Sequence, residues 1–332
     1  MPMEFFRTIV PVPVSGKRIF YSSKVMLMGS CFSEYIGNLL SEARFKIDSS
    51  PFGVVYNPLS VKSGLVRLMD PIKYKPEDVF LHEDVWNSFD HHSRFSDVNK
   101  ENCLTGINER LQNSAQFLKE CDFLFLTFGT SYVYSLKSGG KVVSNCHKLP
   151  AGEFQRRMVT IDEIVSEYIS LLHQLRSINP NIQVVFTVSP IRHWKDGPHD
   201  NQLSKAILLL AIEELCKTHE YTFYFPSYEM MMDDLRDYRF YSDDMLHPNY
   251  TAIRYIWQRF KESFMGTDTV SLMKEVEKVV QARHHKPFNP GSEAFQAFAR
   301  QFYDKIQFLK EQYKINLLEE ETYFKAFFSS GN

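Results

Sequence analysis

The sequence predicts an α/β protein: a three-layer, doubly wound parallel sheet of about five strands with a C-terminal helical appendage. Three observations predict it. Short, continuously apolar runs suited to strands buried on both faces recur at Val25–Met28, Phe123–Phe128 and Val184–Val188. Longer segments with apolar residues at helical spacing lie between them. Each run also ends in small or polar residues, at Gly29-Ser30-Cys31, Gly129-Thr130-Ser131 and Ser189-Pro190. In such sheets ligands bind beyond the carboxyl ends of the strands, so these ends are expected to share one site.

The first strand and its turn come earliest and say most. Gly29 permits the sharp turn after Val25–Met28, and Phe32, Tyr35, Ile36, Leu39, Leu40 and Ala43 then form the stripe of a helix packing back on the sheet. A thiol, Cys31, and two hydroxyls, Ser30 and Ser33, therefore lie at a helix N-terminus. Unpaired N–H groups and the positive end of the helix dipole favour anions there and lower a thiol's pKa. The same residues would serve equally as a helix cap and a small buried hydrophobe.

The segment before Ser23, punctuated by Pro11, Pro13 and Gly16, reads as an entry to the domain. Ser49 to Pro58 is a shaped loop in which Gly53 could bring its N–H close to a ligand. A helix is expected over Leu59–Met69, and Val79–Phe95, with its Asp90-His91-His92 cluster, has no decisive period. Val98–Cys121 is a long helical pattern leading into the second buried strand. Tyr132–Tyr134 and Lys141–Val143 read as a hairpin that delivers Asn145-Cys146-His147-Lys148. Thr160 and Glu163 make a capping box for the next helix. Ser189-Pro190-Ile191-Arg192-His193 follows the third buried strand, Asp200 to Lys217 is helical, and Tyr221–Phe225 offers a further strand.

Tyr241 to Tyr250 holds Asp244 and His247, three apart in a loop just before Ile253, Ile256, Trp257 and Phe260 start a helix. At that spacing a carboxylate accepts from one imidazole nitrogen and fixes the tautomer, leaving the other as a base. Helix capping beside a surface histidine would use the same residues. Residues 1–266 are read as the α/β domain and 267–332 as a helical extension, which covers that domain or makes a homodimer contact.

Composition narrows the function. With 332 residues, 44% hydrophobic and 23% charged, the chain suits a folded globular protein with a sizeable core. Lys and Arg number 38 against 40 acidic residues, so no strong field points to nucleic acid or an anionic membrane. No stretch reaches the roughly 20 apolar residues of a membrane span, and Met1 to Arg7 does not read as a signal peptide. The five cysteines, few and scattered, suit reduced thiols and a cytoplasmic location. A metal centre would need Cys31, Cys146, His147 and His247 to converge; the spacings alone do not make a metal motif, and no cofactor or metal is expected.

These motifs resemble the GSCFA family, within the SGNH superfamily related to GDSL esterases and lipases. The naming motif stands as Gly29-Ser30-Cys31-Phe32-Ser33, with Ser33 in place of alanine. Further matches are Pro51-Phe52-Gly53, Asn57-Pro58, Gly129-Thr130-Ser131, Asn145-Cys146-His147-Lys148, Ser189-Pro190-Ile191-Arg192-His193, Asp244-Met245-Leu246-His247-Pro248-Asn249 and Arg283 to Phe288. The resemblance implies a flavodoxin-like sheet, a serine in a Gly-Asp-Ser turn, and a late Asp-x-x-His pair. The pair matches as Asp244 and His247; overlaying the turn puts Cys31 at the serine and Ser30 at the aspartate. The implied oxyanion donors are the nucleophile's N–H, Gly53 and an asparagine whose place Ser131 takes.

The residues and the resemblance together point to acyl-ester hydrolysis or acyl transfer on a small-molecule or carbohydrate ester. Cys31 is the expected nucleophile, with Ser30 as its alternative, His247 the base and Asp244 its orienter. Gly53, Ser131, Gly129, Asn145, His147, Arg192 and His193 are the expected oxyanion and substrate contacts. The competing reading is a non-catalytic protein that grips a polar ligand on the same scaffold through Lys148, His147, Arg192 and His193.

Overall fold

The computed structural model describes residues 8–285 and 287–328; Met1–Arg7, Lys286 and residues 329–332 lie outside the described residues. Five strands form one parallel sheet: β1 (Lys24–Gly29), β2 (Lys46–Ser49), β3 (Phe123–Phe128), β4 (Gln183–Val188) and β5 (Thr222–Tyr224). Their order is β5-β4-β3-β1-β2, the doubly wound, flavodoxin-like arrangement with a switch point between β1 and β3.

Alternation along the strands separates the layers. Met26, Met28, Leu124, Leu126, Val184 and Phe186 face one core, shared with helices α2 (Pro58–Met69), α3 (Lys100–Lys119), α4 (Ile161–Ile178) and α5 (Gly197–Thr218). Val25, Leu27, Phe123, Phe125 and Val185 face the other, shared with α1 (Cys31–Glu42) and α6 (Tyr250–Phe264). The helices α7 (Thr267–His284), α8 (Glu293–Tyr313) and α9 (Leu318–Lys325) belong to this second core. Val276, Val279, Ala299, Ile306, Leu309 and Phe324 pack with Phe32, Ile36, Ile256 and Phe260, so this extension covers the α1–α6 layer. The entry segment is tied to the same layer, Ser15 donating to the Ser263 carbonyl at 3.0 Å and Ile19 to Phe264 at 2.7 Å.

Three local features differ from the sequence reading. Lys46–Ser49 is a strand, although its composition, Lys-Ile-Asp-Ser, has no apolar run. The hairpin gains a third strand, Phe154–Met158, paired antiparallel with Tyr132–Leu136. Phe80–His82 and Val85–Asn87 form a small hairpin in the segment that lacked a period.

The turn after β1 is locked onto β3. Gly29 has φ +129°, and a Cβ there would lie 2.1 Å from the Thr127 carbonyl oxygen. Ser30 donates its N–H to that same carbonyl at 3.0 Å, and the Ser33 hydroxyl meets the Thr127 hydroxyl at 2.7 Å. The start of α1 is therefore fixed relative to the two strands that flank the switch point.

Candidate active site

Cys31 and Ser30 are adjacent but differently placed. Ser30 is 1% exposed and its Oγ has no hydrogen-bond partner, although the residue occupies the N-cap of α1. Cys31 is only partly buried, at the first residue of α1, where the N–H groups of Cys31 and Phe32 favour its ionised form. The helix start thus supplies the donors expected of it, yet the net effect is opposite to the sequence expectation. Burial outweighs them, and the Glu34 carboxylate adds to it, so the thiol is pushed up to about 11. Cys31 rests as a thiol, so any attack by its sulfur would need a base to take the proton.

A carboxylate–imidazole pair sits in the loop before α6. Asp244 Oδ2 is 2.5 Å from His247 Nδ1, while Asp244 Oδ1 accepts from the N–H groups of Leu246 and His247, each at 2.9 Å. These bonds, led by the His247 N–H, pull the Asp244 carboxyl down to about 2, so it stays ionised at neutral pH. The loop is clamped at both ends. Ser242 donates to the His247 carbonyl at 2.8 Å, and Asn249 caps α6 while bonding the Arg239 carbonyl at 2.7 Å. With Nδ1 held by Asp244, Nε2 is the atom left to move a proton.

A buried lysine that the sequence reading passed over joins the strand ends. Lys205, on α5, donates to the Gly129 carbonyl at 2.7 Å and to the Ser189 carbonyl at 2.8 Å, bridging the ends of β3 and β4. Burial lowers its pKa to about 7, opposed by its attraction to Cys31. The signal was in the helix period: Asn201, Ser204, Leu208, Ala211, Ile212 and Leu215 are the buried stripe of α5, and Lys205 lies on it.

His193 completes the cluster. Its ring packs edge-on against Tyr56 with centroids 5.6 Å apart, and its Nε2 lies 3.2 Å from where a Cβ on Gly129 would be. That same point is 3.4 Å from the Ser30 Cβ, so a side chain at 129 would crowd the imidazole and the β1 turn. Burial, then Lys205, Arg156 and His247, lower the His193 pKa to about 4 and keep the ring neutral. His193, His247, Tyr56 and Thr130 line one cavity of about 640 Å³, into which Tyr132, Tyr134, Phe154 and Trp194 also project. Tyr35 and Tyr56 both lie within electrostatic reach of the Cys31 sulfur, and Tyr35 also of Asp244, which places the thiol beside the same cluster. Among the described residues, no hydrogen bond joins Cys31 to His247.

The other expected contacts divide. Arg192, Asn145, Cys146 and Lys148 line the cavity. Gly53 does not present a free donor: its N–H is given to the Ser50 carbonyl at 2.8 Å, and its φ of +80° serves a tight approach to His92. Ser131 is fully buried, its N–H donated to Ser204 Oγ at 2.8 Å and its own Oγ without a partner. Gly129 has its N–H on the Tyr56 carbonyl at 2.7 Å, so its part is steric. His147 turns away, its Nε2 2.8 Å from the Ser88 carbonyl and its ring against Phe80. Asn145 accepts the His147 N–H at 2.9 Å, which positions the cavity wall. Among the described residues no group of three or more His, Cys, Asp or Glu side chains could hold a metal ion. None of the described helices is long and apolar enough to cross a membrane.

Lys205 makes the stability of the fold pH-dependent in a defined direction. Its pKa near 7 in the folded chain lies below its ordinary 10.5, so the unfolded chain binds more protons between those values and stability rises with pH there. The slope contributed is at most about 1.4 kcal/mol per pH unit. Lys205→Met leaves two buried carbonyls without donors, at about 1–3 kcal/mol each, but removes the titration. Urea unfolding of both proteins is therefore expected to show a stability gap at pH 8.5 that narrows by pH 6; a gap independent of pH would contradict a buried, titrating Lys205.

Residues 24–260 match the model of the GSCFA family, and residues 276–328 match that of the GSCFA domain protein, C-terminal domain. A search of curated proteins finds no match. Among solved structures, the chain is similar to a family 3 carbohydrate esterase from Clostridium thermocellum, at 11% identity over 77% of this chain and 98% of that one, with a TM-score of 0.35. An acetyl xylan esterase from the rumen bacterium Butyrivibrio proteoclasticus shares 14% identity over 76% of this chain and 64% of its own, with a TM-score of 0.37. A family 3 carbohydrate esterase from Talaromyces cellulolyticus shares 11% identity over 76% and 99%, with a TM-score of 0.34. Likeness this distant decides neither chemistry nor substrate.

Proposed function

The chain belongs to the GSCFA family, and from that premise we propose that it is an acyl-ester hydrolase or acyltransferase with Cys31 as nucleophile, His247 as base and Asp244 as orienter. The observation that carries this reading is the Asp244–His247 pair, its carboxylate held by two N–H groups and its second nitrogen left for the cavity that His193 and Tyr56 share. Ser30, buried behind the turn, is the poorer nucleophile.

In the first half-reaction Cys31 Sγ attacks the ester carbonyl while His247 Nε2 takes the thiol proton. The carbon–oxygen bond then breaks, the alcohol leaves with the proton from His247, and the acyl group remains on sulfur as a thioester. In the second, His247 deprotonates water or an acceptor alcohol, which attacks the thioester and restores the thiol. Water makes the protein a hydrolase, and an acceptor alcohol makes it a transferase.

The oxyanion is held by the N–H groups of Cys31 and Phe32 and by a neutral His193 imidazole, which takes over from the Gly53 N–H spent on Ser50 and the Ser131 N–H spent on Ser204. Tyr56, Tyr132, Tyr134 and Trp194 give a carbohydrate or other small alcohol flat apolar faces with polar tips. Purified protein is expected to turn over aryl esters or thioesters, and His193→Phe to lower kcat about 100-fold with a smaller change in KM. Unchanged kcat would assign the oxyanion to backbone donors alone. Absence of turnover on any ester would favour the polar-ligand-binding protein, which the raised Cys31 pKa and the spent Gly53 N–H also suit.

A further inference from the structure

A second cavity, of about 420 Å³, adjoins the first and shares Arg192 and Trp194 with it. It reaches the catalytic loop directly, since Asp244, Met245 and Leu246 form one of its walls. Arg236, Tyr238 and Tyr241 also line it.

The charges of the two cavities are unevenly matched. Their linings hold five Lys and Arg side chains, Lys148, Arg156, Arg192, Lys195 and Arg236, against three carboxylates, Asp196, Asp237 and Asp244. The chain as a whole has a net charge of −2, so this excess is local. Every one of those carboxylates already has a basic partner: Asp196 pairs with Arg156, Asp237 lies 3.7 Å from Arg239, and Asp244 holds His247. Among the described residues Lys148, Lys195, Arg192 and Arg236 have no carboxylate partner. Arg192 in addition has a buried Nε with no hydrogen-bond partner, and its guanidinium lies over the Trp194 ring, 5.1 Å from the centroid. A guanidinium stacked on an aromatic face is pre-positioned, and its fork suits a carboxylate or phosphate.

We infer that the ester this site takes is anionic, carrying a carboxylate or phosphate that seats between Arg192 and Arg236 with the Tyr238 and Tyr241 hydroxyls, while its reacting carbonyl lies at His247. The inference rests on the acyl-transfer reading for the reacting end but not for the anion site itself. Within the second cavity Arg192 and Arg236 are matched by Asp237 and Asp244, so the excess lies in Lys148 and Lys195 of the adjoining cavity; it draws an anionic substrate in, and that attraction weakens with salt.

The test has two arms on the full chain. In the first, kcat/KM is compared for p-nitrophenyl acetate and the p-nitrophenyl monoester of succinic acid, at low and high salt. A preference of about 10- to 100-fold for the succinyl ester is expected, from one or two charge-assisted hydrogen bonds, shrinking with salt and largely lost in Arg192→Gln and Arg236→Gln. In the second, titration calorimetry measures binding of inorganic phosphate and of succinate to Cys31→Ala, which needs no catalysis; thermal melting checks that each Arg variant is folded. Binding of either anion that weakens about tenfold in each Arg variant supports the site, and the tighter anion names the group. Anions that do not bind, or that bind equally well to both variants, overturn it. Anion binding without ester turnover would leave the site standing and remove the hydrolase reading, whereas turnover of neutral esters with no anion binding or preference would do the reverse.

Discussion

Cys31→Ala is expected to lower kcat/KM for the best ester by about four orders of magnitude or more, while the neighbouring Ser30→Ala lowers it severalfold at most. The difference follows from placement. Cys31 Sγ lies at the first turn of α1, partly exposed, beside the N–H groups that open the helix. Ser30 Oγ is enclosed at 1% residue exposure, against Gly129 on the β3 side of the turn. Because Ser30 Oγ has no hydrogen-bond partner to lose, its removal also costs the fold little. Cys31→Ser retains a nucleophile of the right shape and should keep part of the activity. The measurement is steady-state kinetics on folded variants, and equal losses for both alanine variants would remove the assignment of the nucleophile.

His247→Ala is expected to cost about 10³ to 10⁴ in kcat/KM, and Asp244→Asn nearly as much. A thiol pushed up to about 11 is almost wholly protonated at neutral pH, so catalysis depends on a base that takes the proton as the bond forms. Had the helix start made a standing thiolate, His247 would have mattered less. The two losses should not add, since Asp244 acts only through the imidazole it orients. In Asp244→Asn the Leu246 and His247 N–H groups can still be accepted by the amide oxygen, but the amide nitrogen then faces Nδ1 and the imidazole loses its ordering charge. A double variant as slow as His247→Ala alone is the expected outcome, and an additive loss would separate Asp244 from the mechanism.

What could be seen in the sequence was what local order encodes. The β1 run and α1 stripe placed Cys31 at a strand-to-helix turn, because both periods are written in consecutive residues. Asp244 and His247 were visible because a three-residue spacing in a loop is itself the geometry of their bond. Strand β2 was hidden because Lys46–Ser49 is an edge strand of mixed polarity, defined by its partner β1 and not by its own composition. A glycine in a shaped loop suggests a ligand-facing donor, but the Gly53 N–H goes to the Ser50 carbonyl, a partner three residues away that composition does not reveal, and its positive φ serves the close approach of His92. The direction of the Cys31 shift depends on how much of the molecule surrounds the sulfur, which helix position alone does not carry. Lys205 was legible in principle, as a cation on the buried stripe of α5, but a lysine on a helix is ordinarily solvated, and the two carbonyls that receive it come from strands far away in sequence.

The most direct measurement is to mix the full chain with a p-nitrophenyl ester, quench in acid within the first turnovers, and map the peptides by mass spectrometry. The account predicts one acyl group, carried as a thioester on Cys31, cleaved by hydroxylamine and absent from Cys31→Ala. An acyl group on Ser30, or turnover with no acylated residue at all, would contradict it.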